Sequence, residues 1–116
     1  MNEAEEKRVY RQQKRLETQR NLRLNTFISE VMKLAEGREF FYYLLELGKV
    51  GRNSFTGNAL TTAFHCGEQN VGLQIQSRLI EVSPKGYLQM LTEKAEEELN
   101  VRRTESADDD DGNGDY

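Results

Sequence analysis

The feature that most constrains the fold of this chain is a helical repeat of apolar residues between Asn58 and Pro84. Apolar or small residues recur there every three or four positions, the spacing of one helix face: Leu60, Phe64, Gly67, Val71, Ile75, Leu79 and Val82. Asn58 is a suitable N-cap. Because Pro84 disfavours helical backbone at the residue before it, the helix is predicted to end near Val82.

Two glycines, Gly67 and Gly72, lie inside this predicted helix. Each costs about 1 kcal/mol relative to alanine in a helix interior, so a compensating use is expected. Close approach of a neighbouring helix is one such use, and backbone contact with a partner is the other.

Three further segments are predicted to be helical, which gives an all-α fold, a small bundle of about four helices. A first stripe precedes Gly37, which is predicted to be a C-cap: Leu24, Phe27, Ile28, Val31, Met32 and Ala35. The aromatic segment from Arg38 to Leu47 also suits a buried strand, but its length and the glycines around it favour a helix. Ser83 and Pro84 are typical of a helix start, and Phe55 is expected to fill the core from the preceding loop.

Charge divides the chain into three parts. Residues 1–24 have seven Lys or Arg and four Glu, residues 25–92 have six of each sign, and residues 93–116 have three Lys or Arg and ten Asp or Glu. We therefore predict a basic helical arm over 1–24 and a helical core over 25–93. Residues 94–116 are predicted to complete the last helix and, from Thr104 onward, to form a disordered acidic tail.

The arm contains strong helix formers but few apolar residues, so it is predicted to project from the core. Val9, Tyr10 and Leu16 are candidates for contact with another protein. Five cations form a broad surface that either faces solvent or follows nucleic-acid phosphates: Lys7, Arg8, Arg11, Lys14 and Arg15. On the central helix, the candidate protein contacts are Phe64, Gly67, Asn70 and Gly72.

The residues give no basis for an enzyme, a metal or a cofactor. His65 and Cys66 are adjacent, and neighbouring side chains on a helix diverge by about 100°, which does not suit a nucleophile pair. A zinc site needs three or four converging ligands, and there is no second His or Cys. No apolar run of membrane-spanning length and no leader segment is expected, and a single cysteine fits a reducing compartment.

The middle of the chain resembles a small family of tailed-phage proteins named after a structural-region protein of a Bordetella phage. The similar motifs extend over about residues 37–93: Gly37-Arg38, Ser54-Phe55, Thr62-Ala63-Phe64, Gly67, Asn70 to Leu73, Pro84, Tyr87 and Met90. Cys66 and Gln69 depart from the family pattern, which tends to have Glu and Arg there.

This resemblance implies an all-α minor component of a short-tailed phage virion, either an internal ejection-type protein or a protein at the portal or tail. The implied partners are other virion proteins and further copies of the chain. The implied location is the virion, with the host cytoplasm during assembly. The alternative is a nucleic-acid-binding phage protein that uses the basic arm on DNA.

Overall fold

The computed structural model describes the backbone of residues 2–114 and the side chains of residues 2–108. Within this range all regular structure is helical: α1 (Glu3–Val31), α2 (Ala35–Leu47), α3 (Ala59–Val82) and α4 (Pro84–Gly114). The predicted all-α fold and the number of helices are confirmed. None of the helices in the described part has the length and apolarity needed to span a membrane.

Helix α1 joins the predicted arm and the first core helix into one continuous helix. It begins at the N-cap Asn2, whose side chain accepts a hydrogen bond from Glu5 N at 2.8 Å. Every residue from 2 to 24 is exposed, and only the last turns of α1 enter the bundle, through Ile28. The arm therefore projects, as its shortage of apolar residues predicted.

Gly37 is not a C-cap, which corrects the prediction from its position after the first stripe. It lies in the first turn of α2, and Ala35, assigned to the first stripe, is also the first residue of α2. A Cβ on Gly37 would collide with the carbonyl oxygen of Val31. The glycine is therefore required because the chain turns back sharply between α1 and α2.

The core is small and lies where the four helices meet. Its buried apolar residues are Ile28, Met32, Leu45, Leu79 and Met90. Partly buried side chains surround them, namely Phe41, Tyr42, Val50, Ile75, Val82 and Tyr87. Met32 and Leu79 are almost fully inaccessible to solvent and form the centre of this cluster.

Helix α3 has the predicted bounds but presents a different face to the core. Asn58 accepts a hydrogen bond from Thr61 N at 3.1 Å, which confirms the N-cap. The buried side is marked by Gly72 and Leu79, roughly a quarter turn from the line through Leu60 and Phe64. The N-terminal part of the predicted stripe is consequently exposed.

Phe55 is also exposed, with 74% of its surface accessible, so the expectation that it fills the core is wrong. The loop is fixed instead by hydrogen bonds to α3: Gln69 Nε2 donates to Arg52 O at 2.8 Å, and Ser54 Oγ donates to Gln69 Oε1 at 2.8 Å. These polar contacts hold the later part of the loop, while Val50, near its start, packs against the core.

Helix α4 continues well beyond the bundle. Residues 95–108 are helical and exposed, including the segment Thr104–Asp108 that the sequence assigned to the tail. The predicted disorder is therefore not seen over residues 104–108. The backbone of residues 109–114 continues α4, and residues 115 and 116 lie outside the described part.

The two projecting helices make the molecule long. Its radius of gyration is 21.8 Å, whereas a compact domain of 116 residues would have one of about 13 Å. Its extents are 87, 40 and 15 Å. The bundle is therefore a small centre between two long exposed helices.

Candidate assembly surface

The N-terminal half of α3 presents an apolar strip that no other part of the described chain covers. Leu60 and Phe64 have 84% and 66% of their surface exposed, and Val71 is exposed on the same line of the helix. Gly67 lies between them, and a Cβ built there would meet no atom within 4 Å. The strip is thus an open surface with a shallow gap at its middle.

The candidate contact residues on α3 divide between this surface and the interior. Phe64, Gly67 and Asn70 are exposed. Gly72 is buried, because a Cβ there would lie 2.7 Å from Val50 Cγ2 and 3.1 Å from Gly48 Cα. Gly72 therefore allows α2 and α3 to approach closely, and its assignment to a contact surface is corrected.

The side of α3 next to the loop has a polar cluster. His65 Nδ1 lies 2.9 Å from Glu68 Oε1 and 3.2 Å from Lys49 Nζ. The hydrogen bond with His65 lowers the pKa of the Glu68 carboxyl; partial burial opposes this effect, and the Lys49 charge adds to it. Lys49 itself has a left-handed backbone conformation, with φ of 53°, so the cluster holds a strained residue in place.

This cluster leaves His65 only partly exposed, at the contact between α3 and the preceding loop. Its partners are a carboxylate and an ammonium group of the same chain, which is typical of a structural ion cluster. Cys66 points to solvent as a free thiol. Among the described residues, no group of three or more His, Cys, Asp or Glu side chains is arranged to hold a metal ion.

Comparison with known proteins identifies the core of the chain. Residues 28–92 match the profile of the Bbp19-like phage proteins, which is more than half of the sequence. The chain belongs to this family. No curated protein and no solved structure matches it.

The Bbp19-like region, residues 28–92, coincides with the bundle and stops where the projecting helices leave it. The resemblance to this family seen in the sequence is confirmed. The basic part of α1 and the acidic part of α4 lie outside the match. The two charged, projecting segments are therefore not part of the family region.

Arg38 is the one buried charged residue of the described chain, with 7% of its surface exposed, and sequence reasoning missed its role. Its guanidinium Nε donates to Glu93 Oε1, and its Nη1 donates to Met32 O at 2.9 Å. It therefore ties α2 to α4 and to the turn after α1. One signal of this role was available in the sequence. Arg38 is a cation in the otherwise apolar α2, and it directly follows the glycine that the sharp turn requires.

A second ionic contact joins α2 and α4 further along. Lys94 Nζ lies 3.6 Å from Glu97 and 3.8 Å from Glu46, and 5.1 Å from the centre of the Tyr42 ring. Partial burial disfavours the charged ammonium, but Glu97 and Glu46 outweigh it and raise the pKa of Lys94. Burial raises the pKa of the Tyr42 hydroxyl, and Glu46 adds to this.

The candidate residues of the arm are exposed on different sides of α1. Val9 and Leu16 share one line, while Tyr10 is about 100° round the helix, where Lys14 Nζ lies 5.7 Å from the centre of its ring. Lys7, Arg8, Arg11 and Arg15 share another face, and Lys14 lies at its edge. Among residues 2–108, only Lys7 of these five cations forms an ion pair, with Glu3 at 3.3 Å.

Proposed function

We propose that this Bbp19-like protein is a minor structural component of a short-tailed phage virion, of the internal ejection type or associated with the portal or tail. It acts through protein–protein contacts and not as a catalyst. Family membership supports the phage origin. The surface of the molecule supports the assembly role.

The observation that carries this proposal is the amount of surface left uncovered. The accessible surface is 9369 Å², whereas a compact monomer of 13.4 kDa would expose about 6500 Å². The difference exceeds the roughly 800 Å² that one partner contributes to a standard protein interface. A chain of this shape therefore has room for more than one contact.

The composition of that surface also supports assembly. In the described part, five large hydrophobic residues are buried, whereas twenty are exposed. Single exposed apolar residues are ordinary, but a continuous apolar strip on one helix marks a contact site. The strip of Leu60, Phe64 and Val71 is such a site, and the open space at Gly67 lets a partner helix or loop approach the backbone.

The test is incorporation into phage particles. The double variant Leu60→Ser and Phe64→Ser should fold like the wild type, because both side chains are exposed in the isolated chain. It should be depleted from purified particles when it replaces the wild-type protein, as measured by mass spectrometry. Leu88→Ser removes an equally exposed apolar side chain from α4 and should be incorporated normally.

Two results would contradict the proposal. One is the absence of the wild-type protein from purified particles, and the other is normal incorporation of the double variant. Circular dichroism of each purified variant separates a failure to assemble from a failure to fold.

A second candidate function is nucleic-acid binding through α1. The observation that favours it is a face of four cations of which only Lys7 is paired with a carboxylate, since such a face attracts phosphates. Its test is binding of duplex DNA at two salt concentrations. Affinity that falls steeply with salt and is lost with Arg8→Glu, Arg11→Glu and Arg15→Glu would support it.

A further inference from the structure

The two charged extensions have opposite sign, and they are separated within one molecule. Residues 3–24 of α1 extend about 33 Å at the helical rise, and residues 95–108 of α4 extend about 21 Å. All of these residues are exposed, and no ion pair joins α1 to α4 among residues 2–108. Each extension is therefore available to a molecule outside the chain.

The basic face of α1, defined as Lys7, Arg8, Arg11 and Arg15, has one of its four cations paired: Lys7, with Glu3 one turn before it. With 3.6 residues per turn these four side chains lie within about a quarter of the helix circumference. Glu6 and Glu17 lie on the opposite side of the helix. The exposed Leu22 continues the same line toward the bundle.

The acidic face of α4, defined as Glu97, Glu98, Glu105 and Asp108, surrounds the exposed Val101. Arg103 lies on the opposite side of this helix, and Arg102 lies at the edge of the face. Glu97 contacts Lys94, while Glu98, Glu105 and Asp108 form no ion pair among the described residues. The face thus holds three carboxylates without an ion pair among the described residues, along about three turns of helix, and Lys94 and Arg102 lie beside them.

We propose that the basic face of α1 in one copy binds the acidic face of α4 in a second copy. This rests on the proposed assembly function and names one of its partners, the chain itself. The two faces are complementary in sign and similar in length, and every copy supplies both in equal number. Exposed ion pairs contribute little affinity individually. The charges therefore select the partner and align the two faces, and the exposed Leu22 and Val101 add apolar contact.

This arrangement predicts head-to-tail contact as well as closed pairs. A contact between a face of α1 and a different face of α4 is heterologous. Such contacts close into a ring or pair if the rotation between copies allows it, and otherwise extend into an open filament. Such a contact suits a repeated component of a particle. The contact uses only residues outside the Bbp19-like region 28–92.

The experiment is a charge exchange between two purified full-length variants. The basic-face variant contains Arg8→Glu, Arg11→Glu and Arg15→Glu, and the acidic-face variant contains Glu98→Lys, Glu105→Lys and Asp108→Lys. Sedimentation velocity at about 50 mM and about 500 mM salt measures association, since salt screens exposed charges. Glu96→Lys, on the other side of α4, is the control.

The wild type and the control should self-associate at low salt and dissociate at high salt. Each triple variant alone should associate at least tenfold more weakly, because attraction becomes repulsion between like charges. An equimolar mixture of the two triple variants should recover mixed complexes at low salt. That recovery supports direct pairing of the two faces.

The proposal is overturned if the wild type is monomeric at low salt, if either triple variant associates like the wild type, or if the mixture does not associate. A monomeric wild type that binds duplex DNA through the three arginines would assign the basic face to nucleic acid. Normal incorporation of both triple variants into particles together with a negative mixing result would reject this contact and leave the proposed function intact.

Discussion

Replacement of Gly67 and of Gly72 by alanine, one at a time, tests the packing of α2 against α3. The two sites are on the same helix and receive the same methyl group, but their surroundings differ. A Cβ at Gly67 meets nothing within 4 Å. A Cβ at Gly72 lies 2.7 Å from Val50 Cγ2 and 3.1 Å from Gly48 Cα, and the second contact is with backbone.

The expected magnitudes follow from two terms. Both variants gain about 1 kcal/mol of helix propensity, so Gly67→Ala should be more stable than the wild type by that amount. Overpacking a tight contact costs about 1–3 kcal/mol, so Gly72→Ala should lose up to about 2 kcal/mol. Because the propensity term is common to both, the difference between the variants, about 1–3 kcal/mol, measures the packing cost alone.

The assay is urea unfolding followed by circular dichroism, at a protein concentration low enough to prevent self-association. A thermal scan should separate the two variants by at least about 4 °C for a domain of this size. Gly48→Ala approaches the same contact from the other helix, with its Cβ 2.7 Å from Gly72 Cα, and should also be destabilised. Equal stabilisation by Gly67→Ala and Gly72→Ala would refute the close approach of α2 and α3.

Two further predictions concern the polar contacts. Arg38→Met should cost about 1–3 kcal/mol, since it leaves the buried Met32 carbonyl without its donor, while the Glu93 carboxylate that loses its partner is exposed to water. Glu93→Gln should cost at least as much, because it leaves the buried Arg38 guanidinium without a counter-charge; a clearly smaller loss for Glu93→Gln in urea unfolding would contradict this. The lowered pKa of Glu68 means that its contribution to stability is full above the unfolded pKa of about 4.5 and is lost as pH falls through the folded value. Glu68→Gln should therefore flatten the acid limb of the stability profile, and an unchanged limb would show that the contact with His65 has no effect.

Much of the fold followed from local signals in the sequence. The N-cap at Asn58 and the stop before Pro84 gave the bounds of α3, because caps and proline act within one or two residues. The family resemblance located the bundle. These signals depend on backbone chemistry, and tertiary contacts did not override them.

The orientation of the helices was less predictable. The stripe through Leu60, Phe64 and Val71 has helical spacing, but spacing alone does not distinguish a face that meets the core from a face that meets another molecule. Gly37 was predicted to be a C-cap because it follows the first apolar stripe. It lies instead in the first turn of α2, where the sharp turn after α1 leaves no space for a side chain. Arg38 was overlooked because a buried cation is visible only through its partner, fifty-five residues further along the chain.

The core is small and the strip is exposed because most large apolar side chains of the described chain lie at its surface. A bundle with few fully buried side chains has little intrinsic stability to spare, since net folding stability is a small difference between large terms. A partner that binds only the folded chain adds stability by mass action, about 2.7 kcal/mol at a hundred times its dissociation constant. Contacts at the strip and between the charged faces would therefore stabilise the bundle in proportion to the local concentration of subunits. In the proposed particle that concentration would be high, and the apolar side chains that the single chain leaves exposed would be the ones buried by assembly.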